Sequence, residues 1–90
     1  MMPSAEERFF RWCWASLSAE QGNAMLVVAR TGAPNGRGVG HYTMNWLEQA
    51  GMTQVTTDLD DWFSTFTDLG ESVMWEGARL LKIEWDGRNA

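Results

Sequence analysis

The sequence has little of what most catalytic and metal sites are built from. Its 90 residues include one cysteine, Cys13, and one histidine, His41. A single cysteine excludes an internal disulfide framework and fits a reducing compartment. A cysteine-based zinc site needs several Cys or His ligands, and these two residues lie far apart in the chain. We therefore expect no cofactor and no metal.

Long apolar runs are also missing. The longest run, 24–29, is far shorter than the roughly 20 residues that a membrane-spanning helix needs. The N-terminal segment carries Glu6 and Glu7 and lacks the basic stretch of a secretory signal peptide. These two features predict a cytoplasmic protein without membrane contact.

The chain is poor in basic residues, above all in its second half. Overall, 7 Lys and Arg stand against 12 Asp and Glu, which gives a formal net charge of −5. Residues 1–45 hold four Arg and three Glu, a balance of +1, whereas residues 46–90 hold three basic residues and nine acids, a balance of −6. A negative surface repels phosphate backbones, so direct nucleic-acid binding is not expected. The same surface attracts a basic protein partner.

Two segments have the periodicity of amphipathic helices. In 4–19, Ser4 and Glu7 form a capping-box pattern ahead of an apolar stripe. In 58–69, apolar residues recur at helical spacing, and Gly70 follows as a typical stop.

The remaining apolar segments predict strands. The run 24–30 is apolar and β-branched, and the glycine-rich stretch 31–40 after it fits a hairpin loop. Segment 39–46 fits the returning strand, with a helix over 42–50 as the alternative. Further short strands are predicted at 52–56, 72–75 and 78–85, with a continuous helix as the alternative for the last two.

Together these segments predict one α+β domain covering 1–90, and 44% apolar content is ordinary for such a domain. Its architecture is a small antiparallel sheet of three to five short strands packed against the two amphipathic helices, 4–19 and 58–69. A chain this short buries only about 60–65% of its unfolded surface.

Two patterns resemble parts of a nucleotide-binding site or a catalytic site, and neither is complete. The loop 31–40 holds four glycines but has His41 where a dinucleotide-binding fingerprint needs its third glycine. We interpret it as an exposed loop whose Arg37 is available to a partner. Cys13 and His41 are the residue types of a nucleophile and its base, but Cys13 falls within the apolar stripe of a helix. The sequence therefore predicts a protein that is not an enzyme.

Clustered acids and surplus tryptophans predict a protein-binding surface. Asp61 and Asp68 would lie about 10 Å apart along one face of the predicted second helix. Trp12 falls outside the apolar arc of the first helix, and six Trp exceed what a chain of this length can bury completely. The candidate contact residues are Asp58, Asp60, Asp61, Asp68, Glu71, Glu76, Trp12 and Arg37.

In size, acidity, low cysteine content and aromatic content, the chain resembles small phage-encoded inhibitors, including anti-CRISPR proteins. The resemblance covers size and composition and transfers no functional residue. It implies an inhibitor in the host cytoplasm that binds a nucleic-acid-handling complex, either in a basic groove or against a protein subunit. The alternative is a small structural or assembly subunit, with the surplus tryptophans in a homo-oligomeric interface.

Overall fold

A computed structural model describes residues 3–87 and places them in an α+β arrangement. The described part of the chain holds four α-helices and a two-stranded antiparallel sheet, rather than the three to five strands expected. The elements, in chain order, are α1 (Ala5–Ala15), α2 (Ala19–Thr31), a 3₁₀ turn (Pro34–Gly36), α3 (His41–Gln49), β1 (Thr53–Asp58), β2 (Asp61–Phe66) and α4 (Asp68–Leu81).

The first helix follows its prediction closely at its start. The Ser4 side chain accepts a hydrogen bond from the backbone N–H of Glu7, as the capping pattern indicates. The helix ends at Ala15, earlier than predicted, because Ser18 caps a second helix. There the Ser18 hydroxyl accepts from the Gln21 N–H while the Gln21 side chain accepts from the Ser18 N–H, a complete capping box.

The predicted strand 24–30 is wrong, since these residues lie inside α2. Met25 and Val28 are fully buried there, and a short apolar run does not distinguish a buried strand from a buried helix. Gly32, with a left-handed backbone, ends the helix. The loop 31–40 therefore joins two helices and is not a hairpin loop.

For 39–50, the helical alternative is confirmed and the strand is wrong. Gly40 precedes α3, which runs from His41 to Gln49 and buries Met44 and Leu47 against α2 and the sheet.

The predicted helix 58–69 is also wrong. Its first nine residues complete a hairpin in which β1 pairs with β2 in one uninterrupted register, from Thr53 opposite Phe66 to Asp58 opposite Asp61. The strand expected at 52–56 is confirmed as part of β1. Threonine, valine and aromatic residues make up much of both strands and favour a pleated conformation, and this preference prevails over the helical spacing of the apolar residues.

For the last third of the chain, the helical alternative is confirmed as far as Leu81 and the two strands are wrong. A continuous helix, α4, replaces the strands expected at 72–75 and 78–85, and it extends to Leu81. Gly70 and Gly77 are contact points within it. A Cβ on Gly70 would lie 1.8 Å from the Met52 carbonyl oxygen, and one on Gly77 would lie 2.5 Å from the Trp14 ring. Both glycines let α4 approach its neighbours closely.

The core lies where α2, α3 and α4 meet below the base of the hairpin. Its largest fully buried apolar side chains are Met25, Val28, Leu47, Val73 and Met74. Within residues 3–87, no tryptophan is buried to this degree, and three are exposed. After α4, the chain folds back so that Trp85 contacts Trp75 and Phe66. No helix in the described residues is long and apolar enough to cross a membrane.

Candidate functional site

Three of the predicted acids lie together at the end of the hairpin, which we call the acidic tip (residues 58–61). Asp58 and Asp61 are directly opposite each other, so their side chains lie on the same face, and Asp60 occupies the two-residue turn between them. Leu59, the other turn residue, is 98% exposed and has a backbone φ of 54°. Two-residue hairpin turns normally place Gly, Asn or Asp at such a position, because a left-handed backbone strains most side chains.

The loop before α3 holds β2 in place. Asn35 clamps it with both ends of its side-chain amide: Nδ2 donates to the Asp61 carboxylate and Oδ1 accepts from the Trp62 N–H, each at 3.0 Å. Further along, the Ser64 N–H donates to the Gly32 carbonyl at 2.7 Å, and the Ser64 hydroxyl donates to the Met44 sulfur at 3.1 Å. The outer edge of β2 is therefore covered.

The outer edge of β1 is open. In a two-residue hairpin the residues flanking the turn form a hydrogen-bonded pair, and such pairs alternate along the strands. The backbone N–H and C=O groups of Val55 and Thr57 therefore point away from β2. Their partners on β2, Ser64 and Trp62, point the same groups away from β1, toward the loop before α3. Among residues 3–87, nothing accepts from or donates to these groups of Val55 and Thr57.

Asp68 and Glu71 lie at the opposite end of the hairpin. Both belong to the first turn of α4, where negative charge interacts favourably with the positive end of the helix dipole. Thr67 caps this helix by accepting from the Gly70 N–H at 3.1 Å. Strand β2 separates these acids from the tip by roughly 17 Å, at about 3.4 Å per residue. The predicted spacing of 10 Å along one helix face is therefore wrong.

Glu76 is not a surface residue. It is 3% exposed, and its carboxylate contacts Arg11 of α1 at 3.0 Å and Arg79 of its own helix at 3.3 Å. Arg79 also reaches Glu7 at 3.5 Å, so four charges join α1 to α4. A carboxylate that is already paired and covered has no capacity left for a partner. Its assignment to the binding surface is therefore wrong.

Trp12 and Arg37 lie on other elements. Trp12 is 66% exposed on the outer side of α1, where its ring stacks on Phe9. Arg37 is exposed just after the 3₁₀ turn, where its backbone N–H donates to Pro34. Of the eight predicted contact residues, the structure thus brings together Asp58, Asp60 and Asp61 at the tip, and it places the other five elsewhere.

Cys13 and His41, the residue types of a nucleophile and its base, lie on different helices. Cys13 lies half-buried against the core on α1, and burial raises the pKa of its thiol. His41 is the exposed first residue of α3, where its Nε2 lies 3.2 Å from the Asn45 amide nitrogen. In the described range, no three His, Cys, Asp or Glu residues are grouped so that they could hold a metal ion.

Two features of the site are not predicted from the sequence, the strained Leu59 and the open edge of β1. Both depend on a hairpin in a segment whose apolar spacing suggests a helix. The signal was the run of threonine, valine and aromatic residues on either side of 59–60. No protein-family model matches the chain, and comparisons with curated proteins and with solved structures find no match either.

Proposed function

We propose that this protein is a non-enzymatic protein-binding module whose main contact is the acidic tip. The observation that carries the proposal is Leu59. A leucine at a positive φ costs about 1–2 kcal/mol relative to glycine. Full exposure of its side chain gains nothing in the isolated molecule. Strain of this kind is commonly retained where a residue serves recognition, so Leu59 has the properties of an anchor for a partner.

The surroundings of Leu59 define the partner's chemistry. Asp58, Asp60 and Asp61 flank it, and the hairpin, residues 53–66, contains no Lys or Arg. Such a tip is complementary to a basic groove with a small apolar recess. It repels nucleic acid, but it fits a groove that binds nucleic acid. This supports an inhibitor of the kind suggested by the resemblance to phage-encoded proteins, which occupies a basic groove of a CRISPR-type complex in the host cytoplasm.

The test compares three tagged proteins in a nuclease-treated bacterial lysate: the wild type, a tip variant and a control variant. The tip variant carries Asp58→Lys and Asp60→Lys and leaves Asp61 in place, because Asp61 holds Asn35. The control carries Glu6→Lys and Glu84→Lys, which change the net charge equally at exposed positions outside the hairpin. Bound proteins are identified by mass spectrometry over a series of salt concentrations.

We expect the wild type and the control to retain a stoichiometric partner with a basic groove. The tip variant should lose that partner, and rising salt should release it, since exposed charges are screened. DNA added to the purified complex should compete with the protein for the groove. Retention of the same partner by all three proteins at every salt concentration would disprove the role of the acidic tip.

A further inference from the structure

One outer edge of the hairpin is covered by the rest of the chain and the other is open. The edge of β2 is covered by Gly32 and Asn35, whereas β1 presents the free backbone groups of Val55 and Thr57. Soluble proteins usually protect an open edge with lysine, proline or a β-bulge. Strand β1 contains neither residue, and its register with β2 has no bulge. An unprotected edge of this kind is suited to pairing with another strand.

We propose that β1 pairs antiparallel with β1 of a second copy, so that two hairpins form one four-stranded sheet. The structure restricts the register. Hydrogen-bonded pairs must use the outward-pointing residues, and Thr53 is only 3% exposed, which excludes it. Val55 of each copy then pairs with Thr57 of the other, which forms four backbone hydrogen bonds. Thr56 faces Thr56 across the two-fold axis.

The charges are compatible with this pairing. Asp58 of each copy lies opposite Gln54 of the other, so a carboxylate meets an amide and not a second carboxylate. The two acidic tips point to opposite ends of the sheet, which keeps their charges apart. This self-complementarity favours a second copy over a strand from an unrelated protein. It also explains an edge without protection, because an isolated two-stranded sheet is marginally stable and a four-stranded one is not.

The decisive test is cross-linking in a Cys13→Ser background. Thr56 is the residue that meets itself, in a non-hydrogen-bonded pair whose Cα atoms are about 4.5 Å apart, and a disulfide spans about 4.4–6.8 Å. Thr56→Cys should therefore form a covalent dimer under mild oxidation. Gln54→Cys is the matched control, since it lies on the same strand and the same face and is also exposed, but it faces Asp58. It should form no covalent dimer.

Light scattering over a range of protein concentrations gives the second measurement. The wild type should reach the mass of a dimer, and Thr57→Pro should not, because proline removes an outward N–H without breaking the ladder to β2. A strictly monomeric wild type overturns the proposal. The proposal is also overturned if the wild type dimerises but Thr56→Cys cross-links no better than Gln54→Cys. The dimer contact would then lie on another surface, such as the one that holds Phe9 and Trp12. A variant with Asp60→Lys alone alters the acidic tip in the turn, outside the paired residues 54–58. It should dimerise like the wild type and bind the partner of the tip more weakly, so the two proposals fail independently.

Discussion

At the scale of single residues, Leu59 links stability to binding. Replacing Leu59 with Asn should raise the free energy of unfolding by about 0.5–1 kcal/mol, because asparagine tolerates the left-handed backbone that leucine resists. For a domain of this size that corresponds to a rise in Tm of roughly 2–8 °C. Urea and thermal denaturation monitored by circular dichroism will measure the change. The same variant should bind the partner of the acidic tip more weakly.

Leu80→Asn provides the comparison for Leu59→Asn. Leu80 is also an exposed leucine, but it has a helical backbone inside α4. Asparagine has a lower helix propensity than leucine, so this variant should lose a few tenths of a kcal/mol. If both substitutions stabilise the protein equally, removal of exposed apolar surface explains the effect and backbone strain does not.

At the scale of elements, two glycines that face the same Trp14 ring should respond in opposite ways to alanine. In α2, a Cβ on Gly22 would lie 3.9 Å from the ring, an ordinary contact, so Gly22→Ala should stabilise the helix by about 0.5–1 kcal/mol. In α4, a Cβ on Gly77 would overlap the ring, and Gly77→Ala should destabilise the protein by about 1–3 kcal/mol or more. Urea titrations of both variants against the wild type decide this. A stabilising Gly77→Ala would contradict the close packing of α1 on α4.

These glycines also show why some helices could be predicted from the sequence and others could not. The start of α1 was predictable because its signals are local: Ser4 caps the helix, and the apolar stripe follows at once. Gly70 and Gly77 have the local appearance of a stop and a turn, yet each is set by a tertiary neighbour, Met52 in one case and Trp14 in the other. Sequence periodicity contains no information about such approaches.

The candidate site, too, could be predicted from the sequence only in part. Asp58, Asp60 and Asp61 were predictable as a group, because residues adjacent in the chain stay together in either a helix or a hairpin. Glu76 was not, since the arginine that covers it, Arg11, is 65 residues away in the chain. Which acids are surface and which are structural depends on contacts of this long range.

At the scale of the whole molecule, α1 depends on the rest of the chain for its position. None of its residues is fully buried, and it is fixed to α4 by the Trp14–Gly77 contact and by the charges around Glu76. Arg11 supplies the shorter of the two ion pairs to this carboxylate. The attachment of α1 is therefore sensitive to a single side chain.

Arg11→Met should lower the free energy of unfolding by about 1–3 kcal/mol, because it leaves the covered Glu76 carboxylate with Arg79 alone. Arg8→Met, on the same helix but exposed, should change stability by less than about 0.5 kcal/mol. Adding Glu76→Met to Arg11→Met should recover most of the loss, since an apolar pair needs no charged partner. If denaturant titrations give additive losses in the double variant, the two residues are not coupled. Recovery would instead show that the loss in Arg11→Met comes mainly from leaving the buried Glu76 carboxylate without Arg11. The ion pair itself would then add little stability beyond that of an apolar pair.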